Sequence, residues 1–213
     1  MHEQNAFLTL TYDDDHLPKD AKLDKPQLTY KIKEMQRKIK GIRFFFCGEY
    51  GEKTNRPHYH AIIFGSDLLG GAEPIGDNKY ISPLIQTWWP YGNHELSVPE
   101  YAAAFYTAGY VTKKMDDTDT FSIMSRKPPI GHQWLKQNYE SMLTRGFIII
   151  NGVKHPIPKM YMDTLQYKWG LDLNDYKYQR RQENKNRPIL TKQQGRAKEL
   201  NLKQKIQSRK ATI

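Results

Sequence analysis

The feature that most restricts the fold of this chain is a pair of histidines, His58 and His60, at the head of the apolar run Ala61-Ile62-Ile63-Phe64. A short apolar run rich in β-branched and aromatic residues is typical of a β-strand. Alternate side chains of a strand point to the same face, so His58 and His60 share one face and Tyr59 lies on the other. The segment therefore predicts a strand carrying two imidazoles close enough to hold one metal ion.

Two more strands are predicted ahead of the histidine strand. Residues 7–12 are rich in strand formers and end at the turn signal Asp13-Asp14-Asp15, and residues 42–49 form the second strand. Only a short loop separates Glu49 from His58, which favours an antiparallel pair of strands. Glu49 is therefore expected near the start of the histidine strand.

A clear helix start follows later in the chain, at the capping box Ser97-Val98-Pro99-Glu100. The helix is expected to run to about Met115, with small and apolar residues along one stripe. The opposite side carries the polar residues Tyr106, Tyr110 and Lys113, with Lys114 beside them.

The remaining elements complete an α+β protein with a central antiparallel β-sheet flanked by helices. Asp24 caps a helix expected to run from Lys25 to about Lys40 and to stop at Gly41. Glycine-rich residues 65–78 are expected to form a flexible loop. Further predictions are short helices over residues 84–89 and 132–143, and a hairpin turned by Asn151-Gly152 after residues 147–150.

The positive charge of the chain is concentrated at its C-terminal end. From Lys177 onward there are 12 lysines and arginines against Glu183 and Glu199, whereas residues 1–176 carry 21 residues of each sign. A basic tail favours binding to a polyanion such as nucleic acid, although solvated basic tails without a ligand are also common. We therefore expect one domain over residues 1–170 and a basic, poorly packed or helical tail over residues 171–213.

Composition also bears on where the protein works. The sequence has no long apolar run and no charged-then-apolar leader, which predicts neither a membrane span nor a secretory signal. The single cysteine, Cys47, cannot form an internal disulfide and is expected to be a small buried group. We expect a cytosolic protein.

The histidine pair indicates metal chemistry, with Glu49 as the third ligand. Two imidazoles and a carboxylate from the neighbouring strand suit a divalent ion, and the carboxylate favours Mg²⁺ or Mn²⁺. Such an ion polarises a phosphate oxygen. Glu52 is the reserve ligand, and a solvated charge at the strand end is the alternative interpretation of Glu49.

The tyrosine helix offers nucleophiles. A phenol with a pKa near 10 needs a nearby lysine or a metal to favour its anion, and Lys113 or Lys114 can supply that charge. Helical tyrosines are more often half-buried packing residues, and lysines at the end of a helix also favour its dipole. Both interpretations stay open on the residues alone.

These blocks occur in the order of the three motifs of HUH-type endonucleases. The matching segments are Phe7-Leu-Thr-Leu-Thr-Tyr12, Cys47-Gly-Glu-Tyr-Gly51, Arg56-Pro-His-Tyr-His60 and Tyr106-x-x-x-Tyr110-x-x-Lys113-Lys114. Over roughly residues 3–165 the chain resembles the replication initiators of gokushovirus-type microviruses, small single-stranded DNA bacteriophages. Relatives of this kind usually carry a further segment ahead of the stretch matching His2-Glu3, so we expect this chain to be short at its N-terminus.

The resemblance implies a fold, a reaction and partners. It implies an HUH nuclease fold in which His58, His60 and Glu49 bind Mg²⁺ or Mn²⁺. It also implies that Tyr106 and Tyr110 alternate as nucleophiles, forming 5′-phosphotyrosyl bonds at a viral replication origin, and that Lys113 or Lys114 takes the role of the motif lysine. The expected partners are origin DNA and, because no GxxxxGK[ST] loop occurs, a separate host helicase and polymerase in the bacterial cytoplasm.

Three other functions remain possible on the sequence. Two histidines and a carboxylate also form the facial triad of non-haem iron oxygenases, although that triad usually draws its second histidine from far along the chain. A module that binds nucleic acid without chemistry would use the same tail and aromatic residues. Plasmid initiators, relaxases and transposases share the HUH chemistry.

Overall fold

The computed structural model describes residues 2–51, 54–99, 119–185 and 191–210. The helix expected after Ser97 lies outside these residues, and so do the side chains that it carries: Tyr106, Tyr110, Lys113 and Lys114. The reserve ligand Glu52 also lies outside them. The chain divides into two compact units, residues 1–134 and residues 135–213.

The first unit is built on a seven-stranded sheet in which neighbouring strands run antiparallel. The strands are β1 Asn5–Thr11, β2 Arg43–Tyr50, β3 Pro57–Phe64, β4 Glu73–Gly76, β5 Lys79–Ile81, β6 His94–Ser97 and β7 Phe121–Met124. Their order is β4-β5-β6-β1-β3-β2-β7, so the histidine strand β3 lies between β1 and β2. The predicted α+β class, with an antiparallel sheet flanked by helices, is confirmed.

Helices accompany the sheet and make up most of the second unit. The first unit contains a 3₁₀ turn at Lys19–Ala21 and the helices α1 Lys25–Lys38 and α2 Pro83–Trp88, and α3 His132–Arg145 begins at its end. The second unit has the hairpin β8 Ile148–Ile150 and β9 Val153–His155, followed by α4 Lys159–Asp163, a π-helical turn Thr164–Lys168, α5 Asn174–Lys185 and α6 Lys192–Lys210. Among the described residues, no helix is both long enough and apolar enough to cross a membrane.

Helix α1 covers the inner face of the sheet. Asp24 caps it as predicted, because its carboxylate accepts a hydrogen bond of 2.8 Å from the Gln27 N–H. Leu28, Ile32 and Met35 recur at helical spacing and are buried in the same core as strand β1. The helix ends two residues before the predicted Lys40.

Strand alternation gives the sheet two unlike faces. On β1 every second residue from Ala6 to Leu10 is fully buried, and the residues between them are half-buried. Tyr59 belongs to the buried face, where its hydroxyl lies 3.0 Å from the Tyr12 hydroxyl and accepts a 2.9 Å hydrogen bond from the Asp24 N–H. Because Tyr59 faces the core, its neighbours His58 and His60 must face outward.

One predicted loop was wrong. Residues 73–76 form β4, which pairs with β5 through a turn where Asn78 has a φ of +51°, and β6 extends this part of the sheet. Pro74 and the glycines of this segment argue against a strand, and all four residues of β4 are exposed. Main-chain pairing at a sheet edge needs no apolar pattern, so the sequence carried no signal for it.

We predict that His94 makes the stability of the first unit depend on pH. Its Nε2 accepts a 2.8 Å hydrogen bond from the Ser82 N–H, and burial lowers the pKa of His94 below the usual 6.5. The neutral ring therefore contributes stability above about pH 6.5, and that contribution is lost as the pH falls towards the lower pKa of the folded state.

Urea unfolding of the parent and of His94→Gln from about pH 7.5 to about pH 5 tests this linkage. The parent should lose more stability than the variant as the pH falls, because every other titrating group is common to both proteins. Parallel curves would show that His94 contributes nothing to the pH dependence.

Candidate metal centre

The register of strands β2 and β3 places three potential ligands on one face of the sheet. Glu49 pairs directly with His58, and Cys47 pairs with His60. All four side chains therefore lie on the face opposite Tyr59 and the core. This arrangement follows from the short loop that joins the two strands, as the sequence predicted.

The three polar side chains converge on one point. Glu49 Oε1 lies 2.9 Å from His58 Nε2 and 2.9 Å from His60 Nε2. One ligand atom from each residue falls within 4.8 Å of the others, which makes the group able to hold a metal ion. Glu49 is buried, while the histidine side chains are 18% and 13% exposed.

The outer nitrogen of His58 is held by the main chain. His58 Nδ1 lies 3.2 Å from the carbonyl oxygen of Arg56. A carbonyl can only accept, so Nδ1 carries the proton, and neutral His58 presents a lone pair on Nε2. That lone pair faces a carboxylate oxygen, and two acceptors this close repel each other unless a cation lies between them.

A cation at this position is either a proton or a metal ion. Two imidazole nitrogens and one carboxylate oxygen form a donor set that divalent metals accept, with open positions left for other ligands. The residues present therefore fit a metal ion. His60 has a comparable second contact, because its Nδ1 lies 3.1 Å from the Thr9 hydroxyl.

The titration of Glu49 favours the form that binds metal. Burial raises the pKa of its carboxyl, but hydrogen bonds from His58 and His60 and the charge of the two rings outweigh burial and bring the pKa below its usual value. Glu49 is therefore ionised at neutral pH.

Cys47 is a poor ligand in this setting. Burial, together with the nearby charge of Glu49, raises the pKa of the Cys47 thiol to about 12. A protonated thiol binds metal weakly, because the thiolate is the ligand form. Cys47 is 2% exposed, which agrees with the small buried group expected from the sequence.

An ion pair lies at the rim of the site, where β3 begins. Arg56 Nη1 is 2.5 Å from a carboxylate oxygen of Asp14, and Nη2 donates a 2.9 Å hydrogen bond to the Tyr12 carbonyl. The Asp14 side chain is 90% exposed, so water weakens this pair. The contact nevertheless ties the residue before the histidines to the end of β1.

The structure therefore brings together the three predicted ligands Glu49, His58 and His60. It leaves untested the predicted nucleophiles and lysines, which lie outside the described residues. Sequence reasoning missed Thr9 and Phe7, which contact His60 from β1. The period-two pattern of β1 could have placed both on the histidine face, but only if the pairing of β1 with β3 had been known.

Comparison with known proteins places the chain in a family. The family model for replication-associated proteins of the ORF2 type matches residues 5–116, which include all three candidate ligands. This chain belongs to that family. The matched segment also contains the predicted tyrosines of the undescribed helix.

The chain is similar to three phage proteins. It is 33% identical over 184 residues to replication-associated protein VP4 of Bdellovibrio phage phiMH2K, covering 76% of this chain and 58% of the relative. It is 31% identical over 188 residues to replication-associated protein ORF4 of Chlamydia phage 1, covering 78% and 47%. It is 28% identical over 216 residues to replication-associated protein ORF2 of Spiroplasma virus 4, covering 90% and 67%.

These relatives confirm the resemblance to phage replication proteins that the motifs predicted. They are longer than this chain, which spans 58% and 47% of the first two. No solved structure matches the chain significantly. The family thus supports a replication-associated role, and the chemistry must be argued from the residues.

We predict that Gly48, between Cys47 and Glu49, cannot carry a side chain without loss of stability. A Cβ there would lie 3.0 Å from Leu23 Cδ2 and 3.1 Å from the Phe121 ring. Gly48→Ala should therefore lower the free energy of unfolding by about 1–3 kcal/mol, as overpacked cores do. Urea unfolding measures the change. Gly76→Ala is the matched control, because its Cβ would meet nothing closer than 3.9 Å, and an equal loss in both variants would contradict the packing argument.

Proposed function

We propose that this protein nicks and rejoins single-stranded DNA at a phage replication origin, through a covalent tyrosine intermediate. The observation that carries the proposal is the convergence of Glu49 Oε1 with the Nε2 atoms of His58 and His60. Membership of a replication-associated family supplies the substrate class. A hydrogen-bonded trio alone would fit other enzymes, but the family membership favours a phosphodiester.

Glu49, His58 and His60 would hold the divalent ion, which we propose to be Mg²⁺ or Mn²⁺. When bound, such an ion polarises a non-bridging oxygen of the phosphate and offsets charge that builds up there. The carboxylate brings one negative charge to the site and the neutral imidazoles bring none, so a bound divalent ion keeps a net positive charge towards an anionic substrate.

Tyr106 and Tyr110 are the proposed nucleophiles. The phenol oxygen attacks phosphorus, the bond between phosphorus and the 3′ oxygen breaks, and the 5′ phosphate becomes esterified to tyrosine. The departing 3′ oxygen ends as a hydroxyl and takes up one proton, which balances the proton lost by the phenol. Lys113 or Lys114 assists by favouring the phenolate and by offsetting charge in the transition state.

The presence of two tyrosines fits a reaction with two cleavages. One nucleophile suffices for a first nick, but release of a circle needs a second attack while the first 5′ end is still held. In the predicted helix the two tyrosines are four residues apart, about one turn, so both can face the same phosphate. Each would then alternate as nucleophile.

We assign this chemistry to residues 1–170 and DNA binding outside the site to the basic residues 171–213. A host helicase and polymerase are the proposed partners, because the sequence has no phosphate-binding loop of a motor ATPase. The phage relatives suggest that the protein works inside a bacterial host, and we propose the cytoplasm as its location.

We predict that either tyrosine alone supports nicking but not the full reaction. Tyr106→Phe and Tyr110→Phe should each form a covalent adduct with an origin oligonucleotide on the remaining tyrosine, and the double variant should form none. Joining into a unit-length circle should fall much further than nicking in each single variant. Denaturing gels and mass spectrometry of the adducted peptide measure both steps.

Tyr101→Phe is the matched control, because Tyr101 belongs to the apolar stripe of the same predicted helix and should cleave like the parent. Adduct in the double variant, or equal activity with and without a metal chelator, would refute the proposed chemistry. Adduct on one position only, with joining intact, would refute alternation while leaving the nicking reaction in place.

The tail generates a second prediction. Residues 191–213 carry seven of the basic residues against Glu199, and the side chains described in residues 191–201 are almost all exposed. Deleting this segment should weaken DNA binding and flatten the slope of log K against log salt by about 0.7 for each phosphate on a single strand that the tail no longer neutralises. The measurement is best made in the His60→Ala background, where the DNA should remain intact. An unchanged slope would assign the tail to another partner.

A further inference from the structure

Strand β1 offers two threonines to the histidine strand, and they do different things. The register sets Thr9 opposite His60 and Thr11 opposite His58. The Thr9 hydroxyl lies 3.1 Å from His60 Nδ1, while the Thr11 hydroxyl donates a 3.3 Å hydrogen bond to the Asn93 carbonyl. The hydroxyl of Thr9 is thus directed at a candidate ligand, and that of Thr11 at the main chain.

A second residue of β1 holds the same imidazole from its flat side. The Phe7 ring stacks on His60 with 5.6 Å between ring centroids and an angle of 18° between the planes. Phe7 and Thr9 are two residues apart, so they share the outer face of β1. One of them fixes the plane of the His60 ring, and the other fixes its rotation within that plane.

His58 obtains its support in another way. Its Nδ1 is bonded to the Arg56 carbonyl of its own strand, and its ring meets His60 edge to face, with centroids 5.0 Å apart. The main chain therefore orients one histidine, whereas side chains of the neighbouring strand orient the other. Only the support of His60 depends on residue identity.

We propose that Phe7 and Thr9 are positioning residues that orient His60 as a metal ligand. This inference rests on the metal site proposed above. It also gives a role to the Phe7-Leu8-Thr9 part of the first sequence motif, which the nicking mechanism leaves without one. The apolar residue between them, Leu8, is fully buried in the core and anchors the strand.

The chemistry of the support suits its place. A hydroxyl that accepts from Nδ1–H leaves the lone pair of Nε2 directed at the ligand position, and such outer contacts fix both the tautomer and the orientation of a ligating imidazole. Threonine is β-branched and stiff about χ1, so its hydroxyl is held in place by the strand itself. A hydroxyl is also neutral, so it adds no negative charge behind the ligand.

Mn²⁺ titration of the full chain, followed by electron paramagnetic resonance, tests the inference without any cleavage reaction. Thr9→Val removes the hydroxyl at nearly constant shape, and it should weaken Mn²⁺ binding by about 10-fold to 100-fold, the usual effect of removing a hydrogen bond behind a ligating histidine. Thr9→Ser keeps the hydroxyl and should recover most of the affinity. Thr11→Val, on the same face of the same strand, should bind like the parent.

The outcomes separate this inference from the proposed function. Parent-like affinity in Thr9→Val, with binding lost in His60→Ala, would overturn the positioning role and leave the metal site standing. Weakening in Thr11→Val equal to that in Thr9→Val, or no recovery in Thr9→Ser, would also overturn it, because the effect would then belong to the strand. Absence of Mn²⁺ binding by the parent would overturn both.

Discussion

The site depends on the antiparallel pairing of β2 with β3 in one register. That register sets Glu49 beside His58 and brings one carboxylate oxygen to 2.9 Å from two imidazole nitrogens. A slip of one residue would turn every side chain of β3 over, placing Tyr59 at the site and the histidines in the core. The register is protected because burying two imidazoles in an apolar core would cost far more than burying Tyr59.

Tyr59 does more than fill space between the histidines. Its hydroxyl joins Tyr12 of the first motif to the main chain of Asp24, the cap of helix α1. The buried phenols are unsuited to chemistry, because burial raises the pKa of Tyr59 to about 12 and raises that of Tyr12 further. The tyrosines of this sequence thus have distinct environments, and those of the core serve the fold.

Much of the fold and the cluster could be predicted from alternation, capping and loop length. The histidine strand, its partner strand and the Asp24 cap produce local patterns that a sequence displays directly. The β4–β5 hairpin and the contacts of Phe7 and Thr9 with His60 could not be predicted. They depend on which strands become neighbours, and β1 and β3 are separated in the chain by a helix and a whole strand. The tyrosine helix has the strongest start signal of the sequence, yet its position relative to the cluster stays a prediction.

The order of the strands has a consequence for how such a protein can change. The candidate ligands and their supports all come from β1, β2 and β3, which are consecutive in the sheet. The β4–β5 hairpin lies at one edge, with β6 between it and β1, and its turn at Asn78 is exposed. Chain inserted at that turn would lengthen an exposed loop without altering the pairing of the three central strands. New binding modules could therefore be grafted there, and sequence drift at this edge would leave the metal cluster unchanged.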